Sequence, residues 1–203
     1  CGVVWCGVVW WTHQGADMNR GMSSGMRALH IACTLGHAEV VAMLLGFNPA
    51  ACRAVTADGR TPLHMAAIAG HVGIAQLLLD AGAEVDAVTP IRGDRGSESA
   101  LHMACKHGHG DVVEVLIRSG GADIELATPT GKTPLLVASE YAKPEAVRAL
   151  LNVGADVSAQ TNSGKSALYN AAESNLPEVV HLLLEGGSDP DQATRRNKIP
   201  LCV

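Results

Sequence analysis

The sequence predicts an all-α repeat fold assembled from helical hairpins, and three observations carry that prediction. A leucine-centred tripeptide recurs at Ala28-Leu29-His30, Pro62-Leu63-His64, Ala100-Leu101-His102, Pro134-Leu135-Leu136, Ala167-Leu168-Tyr169 and Pro200-Leu201-Cys202, in steps of 34, 38, 34, 33 and 33 residues. An apolar pair (Leu44-Leu45, Leu78-Leu79, Leu116-Ile117, Leu150-Leu151, Leu183-Leu184) begins 15 residues after each of the first five leucines. Helix start and stop residues then fall at matching places inside this block. Constant spacing within the block marks structure, and variable spacing outside it marks loop.

Each hairpin opens on its first helix. Thr61-Pro62 and Thr133-Pro134 set a hydroxyl N-cap before a proline at the first helical position, and Ser99 and Ser166 supply the hydroxyl elsewhere. Gly36-His37, Gly70-His71 and Gly108-His109 stop that helix. The second helix begins with Glu39, Asp111, Glu145 or Glu178 in its first turn, where a carboxylate complements the helix dipole, and with Pro144 and Pro177 at its start. It closes at Gly82, Gly120, Gly154 and Gly187. A turn-rich connection leads to the next copy, and the one between Val88 and Glu98 is about five residues longer than the rest.

Composition narrows the function classes. With 47% hydrophobic and 17% charged residues among 203, the chain is expected to fold, yet aromatics are only 3% and three of the six lie at Trp5, Trp10 and Trp11. The remainder must pack with Ala, Leu, Val, Ile and Met. A formal charge of -5 and scarce aromatics argue against nucleic acid as a partner. The six cysteines form no CxxC pair, which points to a reduced, cytoplasmic protein, with the nucleus as the alternative. The longest apolar stretch, Cys1 to Trp11, is about half of the roughly 20 residues a membrane helix needs, and direct membrane insertion is not expected.

Asp58-Gly59-Arg60-Thr61-Pro62-Leu63-His64-Met65-Ala66-Ala67, followed by Gly70-His71, Leu78-Leu79 and Gly82-Ala83-Glu84-Val85-Asp86-Ala87, resembles a near-complete ankyrin repeat. The frame recurs as Met22–Val55, Thr56–Val88, Thr89–Ala127, Thr128–Gln160 and Thr161–Ala193, giving five repeats over residues 22–193. Residues 1–21 hold a partial copy and 194–203 the start of another. The resemblance implies an α-solenoid of stacked helix-turn-helix repeats with projecting β-turn fingers, and a role in binding other proteins. Departures from the family pattern are Arg27-Ala28 in place of Thr-Pro, Leu136 and Tyr169 in place of His, and Ala142-Lys143 and Asn175-Leu176 in place of Gly-His. The last two copies are expected to be the less stable ones. The duplication CGVVW-CGVVW at the N-terminus matches no helix of the family well.

Two apparent chemistries dissolve on alignment. His30, Cys33 and His37, and His102, Cys105, His107 and His109, look like metal ligands. However, the second copy has His64, Ala67 and His71 at the first three positions, so the cysteine stands where a small buried residue belongs. The family uses these histidines to hydrogen-bond between neighbouring turns. Gly131-Lys132-Thr133 and Gly164-Lys165-Ser166 mimic the end of a phosphate-binding loop, but Leu126 and Ala159 occupy the position of its required first glycine. No cofactor, metal or catalytic set is expected.

The candidate partner-binding residues lie on the fingers and on the concave ends of the first helices. Arg60, Lys132 and Lys165 follow the turn glycines, and Arg92, Asp94 and Arg95 occupy the long finger. Stacked copies would put the bases in a row, as either a solvated face or a groove for an acidic segment. Beside them Thr34-Leu35, Ile68-Ala69, Lys106-His107, Glu140-Tyr141 and Glu173-Ser174 vary in chemistry while the frame repeats. Variable exposed positions on a constant frame suit recognition. A non-catalytic protein-protein interaction scaffold is the leading expectation. The alternative is a structural spacer or spring within the long cytosolic array of a channel, kinase or adaptor. Apolar segments at both ends, Val-Val-Trp and Ile199–Val203, further suggest unfinished edges able to self-associate.

Overall fold

The computed structural model describes residues 25–90 and 97–191. Among them ten α-helices form five hairpins: α1 (Ala28–Leu35) with α2 (Ala38–Phe47), α3 (Pro62–Ala69) with α4 (Val72–Asp80), α5 (Ala100–His107) with α6 (Gly110–Arg118), α7 (Pro134–Glu140) with α8 (Pro144–Asn152), and α9 (Ala167–Glu173) with α10 (Pro177–Glu185). First helices pack on first helices and second on second along the array, which makes a two-layered helical solenoid. The two sequence anchors meet between the layers. Leu63, Leu78, Leu101, Leu116, Leu135, Leu150, Leu168 and Leu183 are all essentially inaccessible, each burial contributing roughly 1.5–3 kcal/mol.

The stop signals act through backbone conformation. Gly36, Gly70 and Gly108 end their helices at φ 79°, 77° and 84°, in the left-handed region that costs a side-chain-bearing residue energy. The fourth and fifth hairpins make the same turn without glycine, at Ala142 (φ 54°) and Asn175 (φ 53°). Asparagine tolerates that conformation; alanine does not. Ala142→Gly is therefore expected to stabilise the chain by about 1 kcal/mol, read as a higher urea midpoint. A lowered midpoint would mean that Ala142 relieves more in the unfolded chain than it costs in the turn. One expected stop is displaced: Gly121 (φ 68°), not Gly120, takes the left-handed turn after α6. Gly120 is a packing glycine, since a Cβ there would lie 2.6 Å from the Leu116 carbonyl oxygen and 3.0 Å from Leu79 and Val85. The first copy lacks a closing glycine and leaves α2 through a 3₁₀ turn, Pro49–Arg53, that buries Cys52.

Buried histidines join successive copies. Nε2 of His30 lies 3.2 Å from the carbonyl oxygens of Ala54 and Arg60, His64 Nε2 lies 3.1 Å from that of Glu98, and His102 Nε2 lies 3.2 Å from that of Lys132. A carbonyl only accepts, so each ring carries its proton on Nε2. Nδ1 then accepts from the capping residue: from the Thr61 amide (3.2 Å) and hydroxyl (2.8 Å) at His64, and from the Ser99 amide (3.3 Å) and hydroxyl (2.9 Å) at His102. Every polar atom of the ring is used in its neutral form. Burial lowers the pKa of all three, to about 4 at His64, where the backbone bond to Glu98 opposes the shift only in part. Cys33 and Cys105 are wholly buried in the same layer, and desolvation pushes the Cys33 thiol up to about 12 and Cys105 upward likewise. No group of three or more His, Cys, Asp or Glu is placed to hold a metal ion among the described residues.

Thr133 departs from its expected role. It occupies the N-cap position of α7, but its hydroxyl caps nothing and is buried without a partner. Leu136 stands where the ring of His64 or His102 would receive it.

Candidate protein-binding face

Each finger is a tight turn closed on its own backbone. The Thr56 amide donates to the Arg60 carbonyl (2.9 Å), Thr128 to Lys132 (3.0 Å) and Thr161 to Lys165 (3.0 Å), with Gly59, Gly131 and Gly164 at φ near 80° before the base. The long finger is closed at its root by Thr89 N–H to the Glu98 carbonyl (3.0 Å) and the Ser97 hydroxyl to the Thr89 carbonyl (2.8 Å). Its tip, with Arg92, Asp94 and Arg95, lies outside the described residues, as do both terminal segments.

The expected row of bases is a row of ion pairs. Lys132 Nζ meets a Glu140 carboxylate oxygen at 2.6 Å, and Lys165 Nζ meets Glu173 at 2.5 Å. Both pairs link a finger to the end of the first helix that follows it, eight residues on. The same two positions in the third copy carry the opposite signs: Glu98 on the finger receives Lys106 from the helix end at 3.1 Å. In the second copy Arg60 turns to Asp58 of its own finger, 3.1 Å away, because the helix end there is the uncharged Ile68. Glu98 thus interrupts the line of bases, and each base at these four described positions has a carboxylate against it. Partly exposed pairs of this kind contribute only about 0.2–1 kcal/mol of stability, so they set side-chain positions more than they hold the fold.

Aromatic and imidazole groups fill the spaces between the pairs. Lys106 Nζ sits 5.0 Å from the centroid of the Tyr141 ring, which is 42% exposed and offers a flat apolar surface beside a charge. Burial pushes the Lys106 ammonium down, but the hydrogen bond and charge of Glu98 outweigh it and the net pKa is raised. His107 stacks on His109, with centroids 6.3 Å apart, and its pKa is lowered by desolvation and then by the charges of His109, Lys106, Lys143 and Arg60. His109 donates from Nε2 to the Ile68 carbonyl at 3.0 Å, so the half-buried Ile68 is fixed through its backbone. Leu35, 59% exposed, is the apolar counterpart of Tyr141 in the first copy.

Between the fourth and fifth fingers the surface opens into a cleft of about 520 Å³. Asn162 stitches those fingers together, its amide donating to the Thr130 carbonyl (3.0 Å) and its Nδ2 to that of Pro129 (2.9 Å). The two Lys-Glu pairs form the walls, with Asn170 and Ser174 also in the lining. Glu98, Asn162 and Asn170 were not among the expected contact residues. The first was legible from the opposite charges eight residues apart in three copies, and the last from a polar residue where other copies have Met65, Met103 and Val137.

No helix among the described residues is long and apolar enough to cross a membrane. A family model described as ankyrin repeats in three copies matches residues 3–89 and 101–194, and a second, for many copies, matches 63–117. The chain is 36% identical over 123 residues to the transient receptor potential cation channel subfamily A member 1 homolog of Caenorhabditis elegans, covering 61% of this chain and 10% of the channel. It is 34% identical over 130 residues to human ankyrin repeat and SOCS box protein 16, covering 64% of this chain and 27% of that protein. These relatives are much longer proteins of which the chain spans about a quarter or less. Among solved structures, the ankyrin repeat domain of Bcl-3 superposes with a TM-score of 0.79 and that of human ASB11 with 0.83. Each is 29% identical and covers 96% of this chain and 84% of its own. Domains of this kind generally mediate protein-protein interaction. By sequence match and by fold alike, the chain belongs to the ankyrin repeat family.

Proposed function

We propose that the chain is a non-catalytic scaffold whose five repeats, residues 22–193, bind a protein partner through the fingers and the concave helix face. One contrast carries the reading: the buried leucine and histidine frame repeats, while the exposed pairs at the first-helix ends change from Thr34-Leu35 to Lys106-His107 to Glu140-Tyr141. Stability requires the frame; it does not require that variation. Tyr141 is the strongest single anchor, being aromatic, exposed and next to a charged pair. Because Arg60, Lys106, Lys132 and Lys165 are already paired, an acidic segment would have to displace Asp58, Glu98, Glu140 or Glu173 to gain them. That favours a partner of mixed charge. Free, buried Cys33, Cys52 and Cys105 suit a reducing, cytoplasmic setting.

The double variant Tyr141→Ala/Lys165→Ala is expected to weaken partner capture from cell extract at least tenfold, about 1.4 kcal/mol. Arg118→Ala, on the second-helix layer, is expected to leave it unchanged. Equal capture by all three proteins would favour the spacer reading.

A further inference from the structure

Tyr141 joins an exposed hydroxyl to a neighbouring ammonium and a weakly held helix end. Of the chain's two tyrosines, Tyr169 is buried at 3% exposure and Tyr141 stands 42% exposed. Lys106 Nζ lies 5.0 Å from the centroid of the Tyr141 ring, and the two carboxylate oxygens of Glu98 hold it at 3.1 and 3.4 Å. The carboxylate beside Tyr141 in the chain, Glu140, is taken by Lys132 at 2.6 Å. An anion built on the ring would therefore meet the Lys106 ammonium, with Glu98 as its rival. The helix that ends at Tyr141 is secured at neither end. It has seven residues, its N-cap hydroxyl on Thr133 is buried without a partner, and Ala142 makes the following turn at φ 54°, where an alanine is strained. Leu136 also replaces the histidine that bridges earlier copies to the next. A segment held in this way opens locally more often than its neighbours.

We propose that Tyr141 is a modification site, phosphorylated by a tyrosine kinase with ATP, and that Lys106 receives the phosphate. The phenol oxygen attacks the γ-phosphorus, the bond from that phosphorus to the β,γ-bridging oxygen breaks, the phenol proton passes to the kinase's base and ADP leaves. In-line attack requires the hydroxyl to reach the γ-phosphorus in the kinase's own site, so the last turn of α7 has to come away first. Its unpaired cap and strained turn make that opening cheap. The product carries a charge near -2 and three strong acceptor oxygens, against the single charge of Glu98, so the phosphate takes Lys106 from its carboxylate. Glu98 is left on the finger without its cation, and the exposed aromatic beside it has become a dianion. One consequence rests on the scaffold reading: a partner anchored on the neutral ring is released.

The test treats the whole chain with a broad-specificity tyrosine kinase domain and ATP, and follows the added phosphate by mass. Wild type is expected to take one phosphate and Tyr141→Phe none. Ala142→Gly should slow the reaction about fivefold, the factor to which about 1 kcal/mol of extra turn stability corresponds, while peptides spanning residues 134–150 with either residue react at one rate. Phosphorus NMR then reads the second ionisation of the phosphate. It should lie below the value of about 6 for an exposed phosphate ester and rise toward it in Lys106→Gln. A wild-type chain left unmodified while a Glu-Tyr copolymer is converted would sink the proposal, as would a phosphate on Tyr169 alone. An unslowed Ala142→Gly chain would overturn the opening route, and an ionisation indifferent to Lys106→Gln would overturn the receiving lysine. Capture of partner from cell extract separates the two readings: a fully phosphorylated chain that still captures it would remove Tyr141 as the anchor and leave the modification site standing.

Discussion

Between pH 6.5 and about 4 the chain is expected to lose much of its stability, with the folded state unaffected above that range. His64 sets the window: burial holds its folded pKa near 4 against 6.5 for the solvent-exposed group of the unfolded chain. The unfolded chain therefore binds the proton that the folded chain refuses, and stability is complete above pH 6.5 and declines as pH falls toward 4. A shift of that size in one histidine is on the order of 3 kcal/mol, and His30 and His102 act in the same direction. A typical domain has only about 5–15 kcal/mol in total. The geometry explains why no protonated form is accommodated, because Nδ1 must accept from the capping amide while Nε2 donates to the next copy. Glu125 works the other way: desolvation, followed by Asp156 and Asp123, raises its pKa, so its protonation on acidification favours the folded state. One half-buried carboxyl does not offset three buried imidazoles. Urea midpoints at pH 7.5, 6.5, 5.5 and 4.5 should be flat at first and then fall at every step. A flat profile across all four would mean that the rings take up protons in the folded chain as readily as in the unfolded one.

The hairpins were legible because their signals are periodic and local. The leucine spacing, the N-cap hydroxyls and the helix-ending glycines each act within a few residues, and all three mark the same boundaries. Gly120 and Gly121 show where this fails: adjacent glycines give one signal, and only packing against Leu79 and Val85 decides which of them makes the turn. The binding face was less legible because its meaning lies in pairs. Taken singly, Arg60, Lys132 and Lys165 read as a basic edge. Taken with the residues two before or eight after them, they read as a line of neutralised contacts. Glu98 and Lys106 reverse the signs yet keep the geometry, which no single-position reading shows. For Asn170 the polar residue was visible in the sequence, but its place in the lining of the cleft between the fourth and fifth fingers is a property of the fold.

The fourth repeat offers the reciprocal test of the histidine network. At His102→Leu the Ser99 amide would lose its acceptor, the Ser99 hydroxyl would lose the ring while keeping the backbone amide of residue 102, and the Lys132 carbonyl would keep only the Thr128 amide, in a site with no water access at Ser99 or His102. A buried group left without a partner costs about 1–3 kcal/mol, and with the Ser99 amide orphaned and two further bonds lost a loss of about 3 kcal/mol is expected even though leucine fills similar space. At Leu136 nature has made that replacement already, and its cost is visible as the unpartnered Thr133 hydroxyl. Leu136→His should recover it. Nδ1 would accept from Thr133, and Nε2–H would face the Lys165 carbonyl, the counterpart of Lys132 one copy on. The gain is smaller than the loss at His102, about 1 kcal/mol, because a fully buried leucine gives up apolar contact in exchange. At pH 7.5 the two variants should move the urea midpoint in opposite directions. The Leu136→His gain should vanish by pH 4.5, since a fourth buried imidazole adds a fourth proton penalty. A destabilised Leu136→His at pH 7.5 would show that shape, not hydrogen bonding, governs this layer of the solenoid.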